Sequence, residues 1–112
     1  MKLILQPLLE NSISHGIKHK TNPSLITIDI SRERDLMKIQ VADDGVGMTP
    51  ERLQETRDSL NAFRTEESHH IGLYNTNKRI RLIYGEAYGL SIDSAPSVGN
   101  TVTLLFPVSP QN

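Results

Sequence analysis

The 112-residue sequence has no cysteine, a formal net charge of only -1 and no long apolar run. The absence of cysteine excludes a disulfide framework and a thiolate metal site, and it permits a reducing compartment without proving one. The small net charge gives no general electrostatic attraction to nucleic acid or to an anionic membrane. No segment approaches the roughly 18 apolar residues of a membrane span, and no signal peptide is visible. A chain of this length is expected to form one domain with a single two-layer core.

A segment near the middle of the chain combines a half-buried strand with a glycine-rich turn. From Met37 to Val41, apolar residues alternate with polar or small ones, which is the period of a strand with one buried face. Asp43 continues the buried set, so its carboxylate needs a partner, because burying an unpaired charge is costly. Gly45 and Gly47 follow, and glycine allows positive φ and close approach of the backbone to a ligand. The segment is a candidate binding loop; the alternative is a strand that ends in an Asp-Gly turn.

Residues 3 to 19 have the spacing of an amphipathic helix. Pro7 must lie in the first turn or kink the helix, so we expect the regular helix to begin near Gln6. Asn11 and His15 share a second, polar face, which is more often plain solvated surface. However, Asn is a poor helix former and its carbonyl oxygen is a good ligand for a hard cation, so Asn11 is a candidate site residue. His19 follows His15 by four residues, a spacing at which two histidines on a helix could bind zinc, but no cysteine or Glu-x-x-His motif accompanies them.

The rest of the chain predicts two hairpins with two helices between them. Thr49, followed by proline and an acid, is a helix start, and Gly85 is a helix C-cap. The buried face of the second of these helices is expected to contain Leu73, Ile80 and Ile83. Strands that come in pairs favour an α+β fold with helices on one face of a mostly antiparallel sheet. The expected elements are strands at 26–31 and 36–43, helices at about 49–62 and 73–84, and strands at 88–94 and 101–106.

Four segments, in this order, resemble the motifs of the ATP-binding catalytic domain of bacterial sensor histidine kinases, within the GHKL superfamily (gyrase, heat-shock chaperone, histidine kinase, MutL). Leu5 to Gly16 resembles the N box, Asp43 to Met48 the G1 box, Ile71 to Ile80 the G2 region, and Ser97 to Val102 the last motif. The Gln-Pro-Leu-x-Glu-Asn opening is similar to that of the YesM/LytS-type kinases. The resemblance implies a Bergerat fold, an α+β two-layer sandwich of a mostly antiparallel mixed sheet with about three helices on one face. It also implies a single domain at 1–112, which we expect to be excised from a longer sensor kinase.

The resemblance implies that the chain binds Mg-ATP. Asp43 would accept a hydrogen bond from the adenine 6-amino group, which gives the inward carboxylate a partner and disfavours guanine. Asn11 would bind Mg²⁺, and Glu10 beside it would help to position the phosphoryl acceptor. A lid would span about 48–71. The other implied ATP contacts are His15 against the adenine, Gly45, Gly47 and Met48 in the loop, Ile71, Gly72 and Leu73 where a helix N-terminus would face the phosphates, and Thr101 at the floor of the adenine pocket.

The resemblance further implies transfer of the γ-phosphoryl group to a histidine on a separate dimerisation segment of the same full-length protein, in a two-component system with a downstream response regulator. Pro7 stands where ATP-hydrolysing relatives carry the acid that activates water, and it can do no proton chemistry, which favours transfer over hydrolysis. We expect a cytoplasmic domain that contacts neither nucleic acid nor the membrane directly, in a full-length protein anchored in the bacterial cell membrane.

Some residues depart from the family pattern. His70 and Ser97 stand where glycines are usual, Asn100 stands where a threonine is usual, and Ser14 replaces a lysine that many relatives carry near the γ-phosphate. These departures motivate one alternative, a degenerate, non-catalytic interaction module that fails to bind nucleotide. A second alternative is an anti-sigma-factor-type serine kinase of the same superfamily, which would form a stable complex with a small protein substrate.

Overall fold

The computed structural model describes residues 2–11, 25–60 and 71–108 of the chain. None of the helices in these segments is long and apolar enough to cross a membrane. The order of the elements confirms the expected α+β organisation. The elements are α1 (Lys2–Asn11), β1 (Ile26–Glu33), β2 (Leu36–Asp43), α2 (Pro50–Ser59), α3 (Ile71–Tyr84), β3 (Gly89–Ala95) and β4 (Gly99–Pro107).

The four strands form one sheet in the spatial order β1-β2-β4-β3. Each of the two predicted hairpins is present, and β2 joins them by pairing with β4 from Leu36↔Pro107 to Ala42↔Thr101. All of these pairs are antiparallel, which confirms the expected mostly antiparallel sheet; among the described residues no parallel pair occurs. The pairing of β2 with β4 brings the end of the first hairpin against the start of β4.

The core lies on one face of the sheet, between the strands and the helices. Leu8 of α1, Leu60 after α2, and Leu73 and Ile80 of α3 pack against the inward side chains of three strands. Fully burying a side chain of this size contributes roughly 1.5–3 kcal/mol, so these contacts hold the helices onto the sheet. The inward strand residues are Ile39, Val41, Ile92, Val102, Leu104 and Phe106.

Helix α1 begins earlier than the sequence suggested. It starts at Lys2, and Pro7 lies inside it, so the expectation that the regular helix begins near Gln6 is wrong. Proline removes one helical hydrogen bond, and here tertiary packing holds the turn in place. Leu8 is fully buried, and Pro7 lies directly against Gly72 of α3, where an added Cβ would stand 3.6 Å from the proline Cβ. The predicted continuation of this helix to residue 19 lies outside the described residues.

Helix α3 begins two residues earlier than predicted, and its buried face differs in part from the predicted one. Leu73 and Ile80 are buried as expected, but Ile83 is 47% exposed, so its assignment to the core was wrong. Because an α-helix has 3.6 residues per turn, the face of Leu73 and Ile80 also contains Thr76 and Asn77. These two polar residues are 5% and 4% exposed. A search for apolar periodicity could not find them.

Turn and cap chemistry sets the remaining boundaries. Thr49 is the N-cap of α2, and its Oγ1 accepts a hydrogen bond from the backbone N–H of Arg52 at 3.2 Å. The described part of α2 ends at Ser59 with Leu60 as C-cap, short of the predicted end near residue 62. Gly85 has φ +115° and donates its N–H to the carbonyl of Arg81 at 2.9 Å, which confirms it as the end of α3.

Two strand boundaries also differ from prediction. Strand β1 continues to Glu33, so the predicted four-residue turn is a two-residue loop in which Arg34 adopts φ 57°. The loop between β3 and β4 is likewise shorter than the predicted 96–100, because Gly99 and Asn100 already pair in the sheet. The second change matters for the site, since it places Asn100 in the strand next to the end of β2.

Candidate nucleotide site

Asp43 is the last residue of β2, and its side chain continues the buried face of the strand at 7% exposure. Its Oδ1 accepts hydrogen bonds from the backbone N–H of Gly45 at 2.9 Å and of Asn100 at 3.3 Å. Its Oδ2 is buried and has no hydrogen-bond partner in the described part of the chain. Most buried polar atoms in proteins are paired, and leaving one unpaired costs roughly 1–3 kcal/mol or more. The free oxygen therefore marks a place where a donor from outside the chain can bind.

Asn100 lies next to Asp43 and contains a second unpaired atom. Its side chain is 2% exposed, and its Oδ1 accepts a hydrogen bond from the Ser94 hydroxyl at 2.6 Å. Its Nδ2 is buried and has no partner among the described residues. A free acceptor on Asp43 and a free donor on Asn100 thus occur on adjacent side chains. This arrangement suits a planar ligand with alternating donors and acceptors along one edge.

The structure places Thr101, the residue expected at the floor of the adenine pocket, on the opposite face of the sheet from Asn100. Successive side chains of a strand point to opposite faces, and Thr101 pairs with Ala42 while Val102 pairs with the inward Val41. Asn100 lies beside the carboxylate instead. The register of two strands decides which of these neighbours faces the site, and that register cannot be read from either strand alone.

The second aspartate of the loop has a structural role. Asp44 accepts a hydrogen bond at Oδ1 from the backbone N–H of Leu25 at 2.9 Å, and its own N–H donates to the carbonyl of Leu25 at 3.3 Å. These two bonds extend the pairing of β1 and β2 by one residue. They fix the direction in which the chain leaves β2, and so they hold the Asp43 carboxylate in place.

The glycine-rich loop is held against the turn between β3 and β4. Gly47 has φ +72°, and a Cβ at this position would lie 1.9 Å from the carbonyl oxygen of Ala95. Only glycine fits so close to another backbone. The next residue, Met48, donates its N–H to Ser94 Oγ at 2.7 Å. The described contacts therefore confirm the positive φ expected at Gly47 and give this residue a role in packing two loops together. Its close approach to a nucleotide stays a prediction.

The turn of the last motif keeps its shape despite the replaced glycine. Ser97 adopts φ 63°, the left-handed region that glycine favours, and its N–H donates to the carbonyl of Val46 at 2.8 Å. Gly99 has φ +124°, and a Cβ there would lie 1.9 Å from the carbonyl oxygen of Asp43. The serine at 97 therefore accommodates the turn at the expense of some backbone strain, and the contact of Gly99 with the end of β2 is preserved.

The residues expected around the phosphates lie at the ends of α1 and α3. Glu10 is exposed, and its carboxylate accepts a hydrogen bond from Gln6 Nε2 at 3.3 Å. Asn11 is the last described residue of α1. Its side chain and the whole of His15 lie outside the described part, so their roles stay predictions. The structure brings together Asp43, the loop and β4, but it does not describe how Asn11 faces them.

At the other helix, Gly72 is the second residue of α3 and does not precede it as the sequence suggested. Its carbonyl accepts a hydrogen bond from the Thr76 hydroxyl at 2.9 Å. Leu73 is 2% exposed and belongs to the core, so its side chain is committed to packing. Ile71 is the first residue of α3. Within the described segment, the backbone N–H groups of this first turn have no helical partners, and such groups are what a helix N-terminus offers to an anion.

Two cavities lie elsewhere on the described surface. One, of about 250 Å³, lies between Leu60 and α3, and the other, of about 420 Å³, lies at the turn between β1 and β2. Neither is lined by a buried polar atom that lacks a partner, whereas Asp43 and Asn100 each have one. The unpaired buried atoms therefore favour the Asp43 site over these two cavities. Within the segments described, no three His, Asp or Glu side chains group in a way that could hold a metal ion.

Comparison with known proteins gives consistent matches. Residues 2–110 match the family described as histidine kinase-, DNA gyrase B-, and HSP90-like ATPase. The chain is 36% identical over 113 residues to the sensor protein kinase HptS of Staphylococcus aureus, both in strain bovine RF122 / ET3-1 and in strain USA300. These matches cover 99% of this chain and 21% of each relative. The chain thus spans about a fifth of the length of the curated relatives it matches.

Solved structures show the same fold. The histidine kinase domain of the blue-light activated histidine kinase from Erythrobacter litoralis EL346 superimposes with a TM-score of 0.65 at 15% identity, over 95% of this chain and 42% of that one. A second structure of that kinase gives 0.67 at 15% identity, over 95% of this chain and 29% of its own length. The similarity to the YesM/LytS type in particular stays a prediction.

Proposed function

This chain belongs to the histidine kinase-, DNA gyrase B- and HSP90-like ATPases, and on that premise we propose that it binds ATP with the adenine against Asp43. The observation that carries the proposal is the buried, unpaired Oδ2 of Asp43. The 6-amino group of adenine is a donor that fits such an acceptor. Because Oδ2 is closed off from solvent, side chains that now cover it must move aside when the base enters.

The same contact disfavours guanine. Guanine has a carbonyl oxygen where adenine has its amino group, so an acceptor would face the carboxylate. An unpaired buried polar contact costs roughly 1–3 kcal/mol, which is about ten- to a hundredfold in affinity. The backbone N–H groups of Gly45 and Asn100 hold the Asp43 carboxylate through its Oδ1 in the free chain. A preorganised acceptor of this kind spends little binding energy on ordering.

The test of nucleotide binding is calorimetric titration of ATP and of GTP, each with Mg²⁺, into the wild-type chain and two variants. Asp43→Asn keeps an oxygen for the Gly45 and Asn100 N–H groups but places an NH₂ group against the adenine amino group, so it should lose ATP affinity. Asp44→Asn is the matched control, since its amide oxygen still accepts from the Leu25 N–H, and it should bind ATP as the wild-type chain does. Equal ATP affinity for wild type and Asp43→Asn would contradict the proposal.

The proposed reaction is transfer of the γ-phosphoryl group to a histidine outside this chain, on the dimerisation segment of a full-length sensor kinase. An imidazole nitrogen would attack the γ-phosphorus while the bond to the bridging oxygen breaks, which leaves ADP. Glu10 is exposed at the end of α1, and its carboxylate would accept the N–H of that imidazole, leaving the other nitrogen free to attack. Asn11 would hold Mg²⁺ on the phosphates. Pro7, half-buried and packed against Gly72 of α3, supplies no base for water.

This reaction predicts that the isolated chain hydrolyses ATP far more slowly than one turnover per second, and that adding the dimerisation segment of a relative yields acid-labile phosphate on that segment. Many turnovers per second by the chain alone would show that it activates water itself. Acid-stable phosphate on a small protein substrate would favour the serine-kinase alternative. The whole protein would then pass the phosphoryl group to a response regulator.

A further inference from the structure

The side-chain hydroxyl of Ser94 joins three segments at the edge of the nucleotide site. Its Oγ accepts a hydrogen bond from the backbone N–H of Met48 at 2.7 Å and donates to Asn100 Oδ1 at 2.6 Å, with the Gly99 carbonyl at 3.1 Å. Ser94 is paired with Asn100 across β3 and β4, so the two side chains lie on the same face of the sheet. The hydroxyl on β3 therefore connects the loop after β2 with the first residues of β4.

Met48 is the residue at which the glycine-rich loop leads into helix α2. The next residue, Thr49, is the N-cap of α2, and Met48 Sδ lies 3.4 Å from the hydroxyl of Thr56 on that helix. The buried side chains of α2 itself are polar, so polar contacts have a large share in its attachment to the sheet. Near its other end, α2 is held through Arg57, which donates to a backbone carbonyl of β3. The bond from Met48 to Ser94 thus fixes to β3 the point at which α2 leaves the loop.

The same bond limits the movement of the loop between Asp43 and Met48. Within that loop, the Gly45 N–H donates to Asp43 Oδ1 at 2.9 Å. Without an acceptor at Ser94, the loop would be released at its α2 end and would sample conformations in which the Gly45 N–H no longer reaches the carboxylate. A site that is formed in only a fraction of the molecules has an affinity reduced by that fraction.

We propose that Ser94 is a positioning residue of the nucleotide site, whose hydroxyl holds the Met48 N–H and so keeps the glycine-rich loop in the conformation that binds ATP. This inference rests on the proposed binding of ATP at Asp43. It couples the occupied site to the start of α2, and such coupling is reciprocal. Bound ATP should therefore strengthen the bond between Met48 and Ser94, just as that bond strengthens the binding of ATP.

The first test is calorimetric titration of ATP with Mg²⁺ into the wild-type chain and three variants. Ser94→Ala removes the acceptor and should bind ATP about three- to tenfold more weakly, the effect of one hydrogen bond of ordinary strength. Ser94→Thr keeps the hydroxyl and should restore the affinity. Ser91→Ala, at an exposed position of the same strand, is the control and should bind as wild type does.

The dissociation constant is measured on folded molecules, so a residue that only stabilised the fold would change the urea midpoint and leave the affinity for ATP unchanged. Wild-type affinity in a folded Ser94→Ala variant would overturn the inference. An equal loss in Ser94→Ala and Ser94→Thr would also contradict it, because the effect would then come from the shape of the side chain and not from its hydroxyl.

Hydrogen exchange of the Met48 amide tests the same bond in the wild-type chain, without a variant that must fold. Exchange requires the loop to open, so ATP at a hundred times its Kd should slow it by up to about a hundredfold. The Val108 amide donates to the Asp35 carbonyl at 2.7 Å at the opposite end of the sheet; it is the control and should exchange at the same rate with and without ATP. If ATP binds but exchange at Met48 is unchanged, only this inference fails. If the wild-type chain binds no ATP, the proposed function fails with it.

Discussion

The Asn77 side chain joins three elements, and its loss should be costly. It is 4% exposed; its Nδ2 donates to the carbonyl of Leu60 at 3.0 Å, and its Oδ1 accepts the N–H of Leu90 at 2.9 Å. It therefore ties the end of α2 and the start of β3 to α3. Asn77→Ala leaves a carbonyl and an N–H unpaired, each worth roughly 1–3 kcal/mol when buried. Since Leu90 is only half-buried, we expect the free energy of unfolding to fall by about 2–4 kcal/mol.

A loss of this size is a large share of the roughly 5–15 kcal/mol that stabilises a typical domain. Urea unfolding should show a lower midpoint for Asn77→Ala with an unchanged m value, because the native surface is the same. Asn75→Ala is the matched control, with the same residue type on the same helix at an exposed position, and it should change stability by less than about 0.5 kcal/mol. Equal midpoints for the two variants would refute the argument that Asn77 is a tie between elements.

Three further variants test single features. Gly72→Ala should raise the free energy of unfolding by up to about 1 kcal/mol, since glycine is a poor helix former and α1 leaves room at 3.6 Å; a lower melting temperature would show that the α1–α3 contact is tighter than described. Ser97→Gly should raise the free energy of unfolding by about 0.5–1 kcal/mol, because glycine removes the left-handed backbone strain at φ 63°. An unchanged urea midpoint would contradict this. Arg57→Met should cost about 1–2 kcal/mol, because the guanidinium donates to the Ile92 carbonyl at 3.0 and 2.8 Å; the exposed ion pair with Asp93 adds little, so Asp93→Asn should unfold at nearly the wild-type urea concentration.

Local sequence signals predicted most of the fold, because each acts over a few residues. The alternation from Met37 to Val41 gave the strand and its buried face, and Thr49 with the following proline gave the start of α2. The errors came where tertiary contacts override these signals. Pro7 lies inside a helix because the turn is packed against α3. Ile83 is exposed, whereas polar Asn77 is buried because its side chain bonds two backbone groups, a tertiary role that apolar periodicity does not reveal.

The candidate site was only partly predictable for a similar reason. Asp43 could be identified because its own strand reveals which way it faces. Thr101 could not be placed in the same way, because the pairing of β4 with β2 decides its face. The unpaired Nδ2 of Asn100 depends on the orientation imposed by Ser94, which lies on a third strand. No pattern within one segment contains that information, and the replaced threonine at 100 was the one signal that pointed to this position.

The register of β2 against β4 therefore determines which side chains lie at the site. A slip of one residue between β2 and β4 would turn every side chain of one strand to the other face, so Thr101 would replace Asn100 beside Asp43. The core opposes this slip, because it would also turn Val102, Leu104 and Phe106 away from the helices, each at a loss of roughly 1.5–3 kcal/mol. Gly99 opposes it too, since only a glycine fits against the carbonyl of Asp43. The apolar core and one glycine thus set which polar side chain lies beside the Asp43 carboxylate.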